Sequence, residues 1–182
     1  DFGNLAVEFS EDRPAKENKG NLGYFSVFRM VYPFESGAYN TPLGTVSKPV
    51  RTRFGYHLIK VNSVRDNRGE VSVSHIMLMK SEDKEVNEKN KSRIQEIYQK
   101  LQQGERFEEL AKQFSEDKSS GSNGGKMAIF SSGQLSSETF EDVAFSLTKE
   151  ETLSKPFESD FGWHIVKLNE KFAVKSFEEM EA

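Results

Sequence analysis

Apolar side chains in the second half of the chain follow two periods, which predict a strand and then helices. From Val71 to Met79 apolar residues and His75 recur at every second position, as in a strand with one face toward a core. A later set recurs at steps of three and four, which places it on one face of a helix. That set is Phe107, Leu110, Ala111 and Phe114.

The remaining pattern completes a small domain. A polar helix is predicted between Ser81, a candidate N-cap, and Gly104, and a third helix after the cap candidates Ser136 and Ser137. Three more strands are predicted at Lys126–Phe130, Leu153–Ser159 and Gly162–Asn169. The order β-α-α-β-α-β-β predicts an α+β domain around a four-stranded sheet.

Parts of this half are written twice in the chain. Residues Phe2–Asp12 share their Phe, Leu-Ala and Phe-Ser-Glu-Asp positions with Phe107–Asp117, and Phe54–His57 is repeated as Phe161–His164. The repeat is too long for a solenoid and suits tandem domains. We therefore expect a first unit over residues 1–64, a linker over 65–70, a complete second unit over 71–175 and the start of a following segment over 176–182.

The first unit contains the later elements of such a domain. A helix is predicted over Phe2–Phe9, a short helix over Met30–Tyr39, and strands over Thr45–Arg53 and Tyr56–Val61. The chain holds no counterpart of residues 71–106 for this unit, so we expect an N-terminally incomplete copy whose missing strand and helix lie upstream of Asp1 in the parent protein. The last residues, from Phe177, resemble the beginning of a helix.

Composition excludes several classes of function. The 182 residues are 35% hydrophobic with 15 Phe, which is enough for packed cores. The net charge of −4 gives no electrostatic footprint for nucleic acid or an anionic membrane. The chain has no Cys, so it has neither disulfides nor a thiolate nucleophile. No apolar run is long enough for a membrane-spanning helix.

Five sequence blocks together resemble the parvulin (PpiC-type) peptidyl-prolyl isomerases. The blocks are Val73–Leu78, Phe107–Asp117, Gly124–Phe130, Phe140–Phe145 and Gly162–Ile165. The first unit carries three of the later blocks, as Phe9–Asp12, Gly20–Phe25 and Phe54–His57. Tandem units of this kind are similar to periplasmic folding chaperones of the SurA type.

The resemblance implies a fold and a reaction. The fold is a parvulin-like four-stranded antiparallel sheet surrounded by helices, present as one complete domain and one incomplete copy. The reaction is rotation about an Xaa-Pro amide, which has a barrier of about 18–20 kcal/mol and takes tens to hundreds of seconds unaided. It requires no metal or cofactor, and a zinc site built from the chain's three His is a poor alternative because His57 belongs to the other unit.

Matching block by block assigns an apolar cup for the prolyl ring. The resemblance places Met127, Leu135 and Phe140 in this cup, with Phe130 beside them. Both Phe side chains could equally be core residues, and for Phe130 we favour that role. The segment Gly124–Phe130 departs from the family pattern, so the shape of the rim and its substrate preference stay open.

The resemblance also implies a polar cluster beneath the cup. It consists of His75, Asp117 and His164, with the hydroxyl of Ser159 lining the same site. The alternative is that the two imidazoles are structural, holding the sheet and tuning the polarity around Asp117. The loop Lys80–Glu85 mixes charges and lacks the Arg/Lys cluster that would recognise phosphate, so selectivity for phosphorylated substrates is not expected.

Two functional hypotheses follow. The first is a prolyl isomerase with a folding-chaperone role, acting on unfolded or proline-containing polypeptides, with outer-membrane proteins as one candidate class. The second is a binding module that grips such segments without turnover. The resemblance implies a periplasmic or otherwise extracytoplasmic location.

Overall fold

The computed structural model describes residues 1–174, and the chain divides into two units after Asn67. In the first unit, helix α1 spans Phe2–Phe9, with the Asp1 carboxylate capping it by accepting from the Gly3 amide. The other elements of this unit are α2 at Ala15–Asn18, α3 at Tyr32–Tyr39 and a hairpin of β1 at Val50–Thr52 and β2 at Gly55–His57.

This hairpin is shorter than the two strands predicted from the sequence. Outside β1 and β2, a single bridge joins Val46 to Lys60, and the Ser47 amide donates to the Ile59 carbonyl at 2.8 Å. Pro49 lies between these contacts and β1, and a proline has no amide hydrogen to contribute to a ladder. The pairing is therefore interrupted where the predicted strand would have continued.

The second unit has the predicted α+β order and the predicted four-stranded antiparallel sheet. The strands are β3 at Glu70–Met79, β4 at Phe130–Ser131, β5 at Phe157–Ser159 and β6 at Gly162–Phe172, in the spatial order β4-β3-β6-β5. The helices are α4 at Lys84–Gln102, α5 at Phe107–Phe114 and α6 at Glu138–Ser146, with a 3₁₀ turn at Gly121–Asn123. The fold class is confirmed.

Two local predictions in this unit are wrong. Helix α4 is capped by Asp83, whose carboxylate accepts from the Glu85 amide at 2.8 Å, and not by Ser81. The strand predicted over Lys126–Phe130 is reduced to a bridge between Ser74 and Lys126 and the two-residue β4. Between these two pairings, three residues of the segment before β4 lie opposite two residues of β3. The extra residue forms a bulge, which interrupts the ladder of hydrogen bonds.

Helices cover both faces of the sheet, which is why β3 is buried on both sides. One core cluster packs α6 against the sheet and contains Val71, Val73, Phe130, Phe140, Ala144, Phe145, Leu147, Val166 and Leu168. The other packs α4 and α5 on the opposite face and contains Ile76, Leu78, Ile94, Ile97, Phe107, Leu110, Ala111 and Ile165. His75 is two residues from Val73 along β3, so it extends the face that α6 covers. The segment from Phe177 lies outside the described residues.

Candidate active site

The site is assembled along the part of β3 that β4 leaves unpaired. The loop after α5 runs beside this strand, and the Glu116 amide donates to the Met77 carbonyl at 2.8 Å. Farther along, the His75 amide donates to the Gly125 carbonyl at 2.8 Å. The residues between these two contacts are therefore held next to His75, and they include Asp117 and Ser120.

Asp117 is bound to His75 by a short polar network. His75 Nε2 lies 2.8 Å from Asp117 Oδ2 and 3.0 Å from Ser120 Oγ. The Ser120 hydroxyl also donates to Asp117 Oδ2, and the Ser119 hydroxyl donates to Oδ1 at 2.8 Å. Because an ionised carboxylate only accepts, His75 carries a hydrogen on Nε2.

These contacts keep Asp117 ionised. Burial raises the pKa of the Asp117 carboxyl, but hydrogen bonds from Ser120, His75 and Ser119 outweigh it and hold that pKa well below its usual value. The cluster therefore contains a negative charge at neutral pH.

The second histidine reaches the same face from β6. The strand register pairs Met77 with His164, and the ring of His164 stacks on that of His75 with a centroid separation of 5.9 Å and an interplanar angle of 14°. His164 Nε2 lies 2.7 Å from the Ser159 hydroxyl oxygen. Ser159 Oγ already accepts from the Phe161 amide at 3.1 Å, so its own hydrogen is available for the imidazole.

Both imidazoles are neutral at physiological pH. Burial lowers the pKa of His75, against the opposing influence of Asp117. Burial, and next to it the charge of His75, lower the pKa of His164 to about 4. The Nδ1 atoms of both rings are buried and have no hydrogen-bond partner among the described residues. An unpaired buried nitrogen atom costs folding free energy.

An apolar cup lies against the two imidazoles. The ring of Phe140, from α6, meets both His75 and His164 edge-on with centroids 5.4 Å away, and only 4% of this residue is exposed. Met127 and Leu135 pack against the same cluster and remain partly exposed. In the cup that the sequence predicts, Phe140 would be the floor and the two aliphatic side chains would be the wall.

Phe130 does not contribute to the cup. It is 3% exposed and packs between Phe140 and Phe145, with ring centroids 6.4 and 5.9 Å away. Phe130 therefore has the core role favoured for it in the sequence, and of the two positions considered there, beside the cup or in the core, it occupies the second.

Three contributors were missed at the sequence level. Ser119 and Ser120 supply hydroxyls to Asp117, but in a Ser- and Gly-rich loop they resemble ordinary turn residues. Phe157, on β5, stacks on His164 with centroids 5.3 Å apart and lies partly exposed at the cup. In a strand, residues two apart lie on the same face, so Phe157 lies on the same face as Ser159. Only this link to Ser159 could have indicated Phe157 from the sequence.

Within residues 1–174, no group of three or more His, Cys, Asp or Glu side chains is arranged to hold a metal ion. The same part of the chain contains no helix that is both long and apolar enough to cross a bilayer.

Comparison with a family model shows which family the chain belongs to. The rotamase family, described as the PPIC-type PPIase domain, matches residues 1–63 and 75–170. The chain belongs to the PPIC-type peptidyl-prolyl isomerase family. Its second unit is thus a rotamase domain, with the His–Asp–His cluster and the Phe140 cup inside the matched region.

Several members of the PPIC-type family can be compared in detail. The chain is 38% identical over 183 aligned residues to the chaperone SurA of Pseudomonas aeruginosa, covering 98% of this chain and 43% of that protein. A crystal structure of the peptidylprolyl isomerase PrsA from Bacillus cereus is 38% identical, with a TM-score of 0.51 over 62% of this chain and 39% of PrsA. A crystal structure of a PpiC-type isomerase domain is 25% identical, with a TM-score of 0.52 over 58% of this chain and 94% of that domain. The chain spans less than half the length of the curated relatives it matches.

Proposed function

We propose that the second unit catalyses cis–trans isomerisation of Xaa-Pro bonds with the prolyl ring seated over Phe140. The observation that carries the proposal is the stack of two neutral imidazoles, His75 and His164, between an ionised Asp117 and an apolar cup. A purely structural imidazole pair would not need two partly exposed aliphatic side chains, Met127 and Leu135, packed against the same cluster.

The reaction breaks no covalent bond, so the site acts by binding the twisted amide better than either planar form. Amide resonance places partial charges on nitrogen and oxygen, and twisting reduces this charge separation. An apolar, partly dehydrated cup therefore favours the twisted state relative to water. A thousandfold acceleration requires a difference of only about 4 kcal/mol.

Each polar residue has a role in this scheme. Asp117 fixes the orientation of His75 through Nε2, and Ser120 braces the contact from the side. Ser159 fixes His164 by donating its hydroxyl hydrogen to Nε2. The two rings are then rigid and neutral beside Phe140, so the bound peptide contacts no charged side chain that can move.

The substrates we propose are unphosphorylated. The loop Lys80–Glu85 follows β3, and Lys80 lies 3.8 Å from a carboxylate oxygen of Glu158. Glu82 and Asp83 add negative charge to the same loop, and Glu85 adds it in the first turn of α4. A phosphate group before proline would therefore meet a lysine already facing a carboxylate, and further acidic side chains.

In the whole protein we propose a folding-chaperone role toward unfolded or proline-containing polypeptides, with outer-membrane proteins as a candidate client class and an extracytoplasmic location. The similarity to SurA chaperones supports this proposal. We further propose that residues 1–64 are the C-terminal part of another domain of the same family, joined by a linker over 65–70 to the complete domain of 71–175. The family match to residues 1–63 supports that division.

A binding role without turnover is the second candidate for the first unit. Its only histidine, His57, bonds to the Thr52 hydroxyl at 2.8 Å and meets the ring of Phe34 edge-on at 5.3 Å. This repeats the Ser159–His164–Phe140 arrangement of the second unit without a second imidazole or an aspartate bound to it. A floor for an apolar side chain is present there, but the stacked pair is not.

The isomerase proposal is tested by NMR exchange or a protease-coupled assay on a set of Xaa-Pro peptides. Asp117→Asn should slow turnover at least tenfold, because it removes the charge that holds His75. Asp160→Asn, at an exposed turn, is the matched control and should have no effect. A folded wild-type chain that leaves the peptides at their spontaneous rate would leave the binding role as the function of this unit too.

A further inference from the structure

A buried glutamate at the start of α6 holds the loop that carries Leu135. Glu141 is only 2% exposed, although it is an acidic residue whose neighbours are mainly core hydrophobics. Its Oε2 accepts from the Gly133 amide at 2.8 Å and its Oε1 from the Leu135 amide at 2.9 Å. The backbone of the cup wall is therefore tied directly to a side chain of the helix that supplies the cup floor.

An arginine from the beginning of the second unit joins the same arrangement. Arg68 Nη2 lies 3.4 Å from Glu141 Oε2, and its Nη1 lies 2.6 Å from Asp142 Oδ1. Its Nε and Nη2 donate to the Ser132 hydroxyl at 3.2 and 3.0 Å. The guanidinium also covers the ring of Phe145, 4.4 Å from the centroid. Arg68 thus binds the wall loop and α6 at once.

The first unit has the same device at the matching position. Glu35 is buried at the start of α3, and its carboxylate accepts from the amides of Phe28, Arg29 and Met30 at 3.0, 2.6 and 2.7 Å. The Met30 contact is the main reason that the pKa of Glu35 is lowered, against the effect of burial, and the other two amides add to it. Met30 is the counterpart of Leu135, so in both units a buried carboxylate fixes the backbone of the same apolar wall residue.

We propose that Glu141 and Arg68 are positioning residues that set the distance between the Leu135 wall and the Phe140 floor. They act through Leu135 and do not touch the peptide. Because hydrogen bonds to a charged group are stronger than neutral ones and both carboxylate oxygens are used, the wall is held against outward movement. This inference rests on the proposed isomerase function, since it assigns how tightly the cup grips a prolyl ring.

Two variants of the chain test it. Arg68→Met keeps an unbranched side chain over Phe145 and removes the contacts to Ser132, Asp142 and Glu141, whereas Glu141→Gln keeps the shape but places an NH₂ group against one backbone amide. Lys112→Met is the matched control, because Lys112 forms an exposed ion pair with Glu109 on the surface of α5. Amide exchange at Gly133 and Leu135 is measured by NMR, together with KM and kcat for Xaa-Pro peptides.

We expect amide exchange at Gly133 and Leu135 to rise about tenfold in both variants, and KM to rise several-fold while kcat changes by less than twofold. The control should match the wild type in every readout. A folded Arg68→Met chain with unchanged exchange or unchanged KM would overturn the proposal. A fall in kcat with KM unchanged would also overturn it, since that result marks an interaction made only in the transition state and not a grip on the prolyl ring.

The positioning role of Arg68 and Glu141 can be tested separately from the isomerase function. If Glu141→Gln does not fold, Arg68→Met decides, because the Arg68 side chain is 23% exposed and its loss leaves no buried cavity. If the wild-type chain shows no turnover, the isomerase proposal fails by itself. The amide exchange and the peptide Kd, measured by titration, then decide whether Arg68 and Glu141 set the wall of the cup.

Discussion

His164 is uncharged in the folded protein because its ring lies in an apolar layer, between Phe140 and Phe157 and stacked on His75. The pKa of His164 is about 4, whereas an unperturbed histidine has a pKa of 6.5. Between these two values the unfolded chain holds a proton that the folded chain does not. The contribution of His164 to the free energy of unfolding is therefore fully present above pH 6.5. It is lost as the pH falls toward 4.

We expect this residue to cost the second unit about 3 kcal/mol of unfolding free energy between pH 7 and pH 4. Urea unfolding followed by the fluorescence of Trp163, the only tryptophan, measures it. His164→Gln, which has no titrating ring, should show a clearly shallower loss over the same range. Identical pH profiles for the two proteins would mean that the pKa of His164 is the same in the folded and the unfolded chain.

Ser120 should matter to turnover although its residue type gave no signal in the sequence. Its hydroxyl contacts both His75 Nε2 and Asp117, so Ser120→Ala removes a donor from the carboxylate and a brace from the imidazole. We expect a fall of about tenfold in kcat/KM, from a loss of roughly 1–2 kcal/mol. Ser119→Ala, at an exposed hydroxyl on the same carboxylate, is the comparison and should have a smaller effect.

For single residues, the sequence was informative where the residue type is rare in the chain. His75, Asp117 and His164 could be selected from the sequence because imidazoles are scarce in this chain and each residue lies in a recognisable block. The structure brings their side chains into one cluster. Ser120 and Phe157 were missed because serine is common in loops and phenylalanine is common in this chain. Only the three-dimensional contacts distinguish them from turn and core residues.

Among the connecting elements, the glycine pair before β4 has a steric requirement. Gly125 has a φ of +79°, and a Cβ placed there would lie 2.2 Å from the His75 carbonyl oxygen that faces it. A side chain at this point would push the Gly124–Gly125 turn away from β3, and with it the Ser119–Ser120 loop. Only glycine allows the backbone to approach this closely.

Gly125→Ala should therefore destabilise the second unit by at least about 2 kcal/mol more than Gly104→Ala. Gly104 also has a positive φ, of +94°, but a Cβ placed there would have no neighbouring atom within 4 Å, so this position shares the backbone strain and lacks the clash. Unfolding followed by Trp163 fluorescence gives both values. Equal losses would show that the contact with His75 can relax without cost.

Long elements were predictable and short strands were not. The alternation of β3 and the helical spacing of α5 and α6 describe features that each segment carries in its own residues. The length of β4, in contrast, depends on how the segment pairs with β3, and one extra residue there ends the ladder. No pattern inside Lys126–Phe130 records the position of its partner.

At the scale of the whole molecule, both core clusters, the cup and the polar network lie in the second unit. We therefore expect a fragment of residues 68–182 to unfold cooperatively and to retain the wild-type rate on Xaa-Pro peptides within about twofold. Calorimetry and the NMR exchange assay test these two points. A folded fragment with much lower activity would show that residues 1–67 contribute to catalysis.

The repeat was visible in the sequence, and so was the division of the chain into an earlier and a later unit. The detail that the sequence could not supply is how Arg68 is used. It lies in a segment predicted as a linker from its Asn, Asp, Arg and Gly content, yet its side chain contacts Ser132 and Asp142 far along the chain. A polar stretch shows where two units meet, but not which of its side chains folds back.

The sheet of the second unit has short or covered edges, and exposed edges are where sheets pair with other chains. Its two long strands, β3 and β6, are central, and the outer strands β4 and β5 have two and three residues. Where β3 extends past β4, the loop Ser115–Met127 occupies its amides and carbonyls through bonds such as Glu116 to Met77. Incoming chains therefore find little exposed strand edge to extend, and the sheet is a poor template for fibril growth.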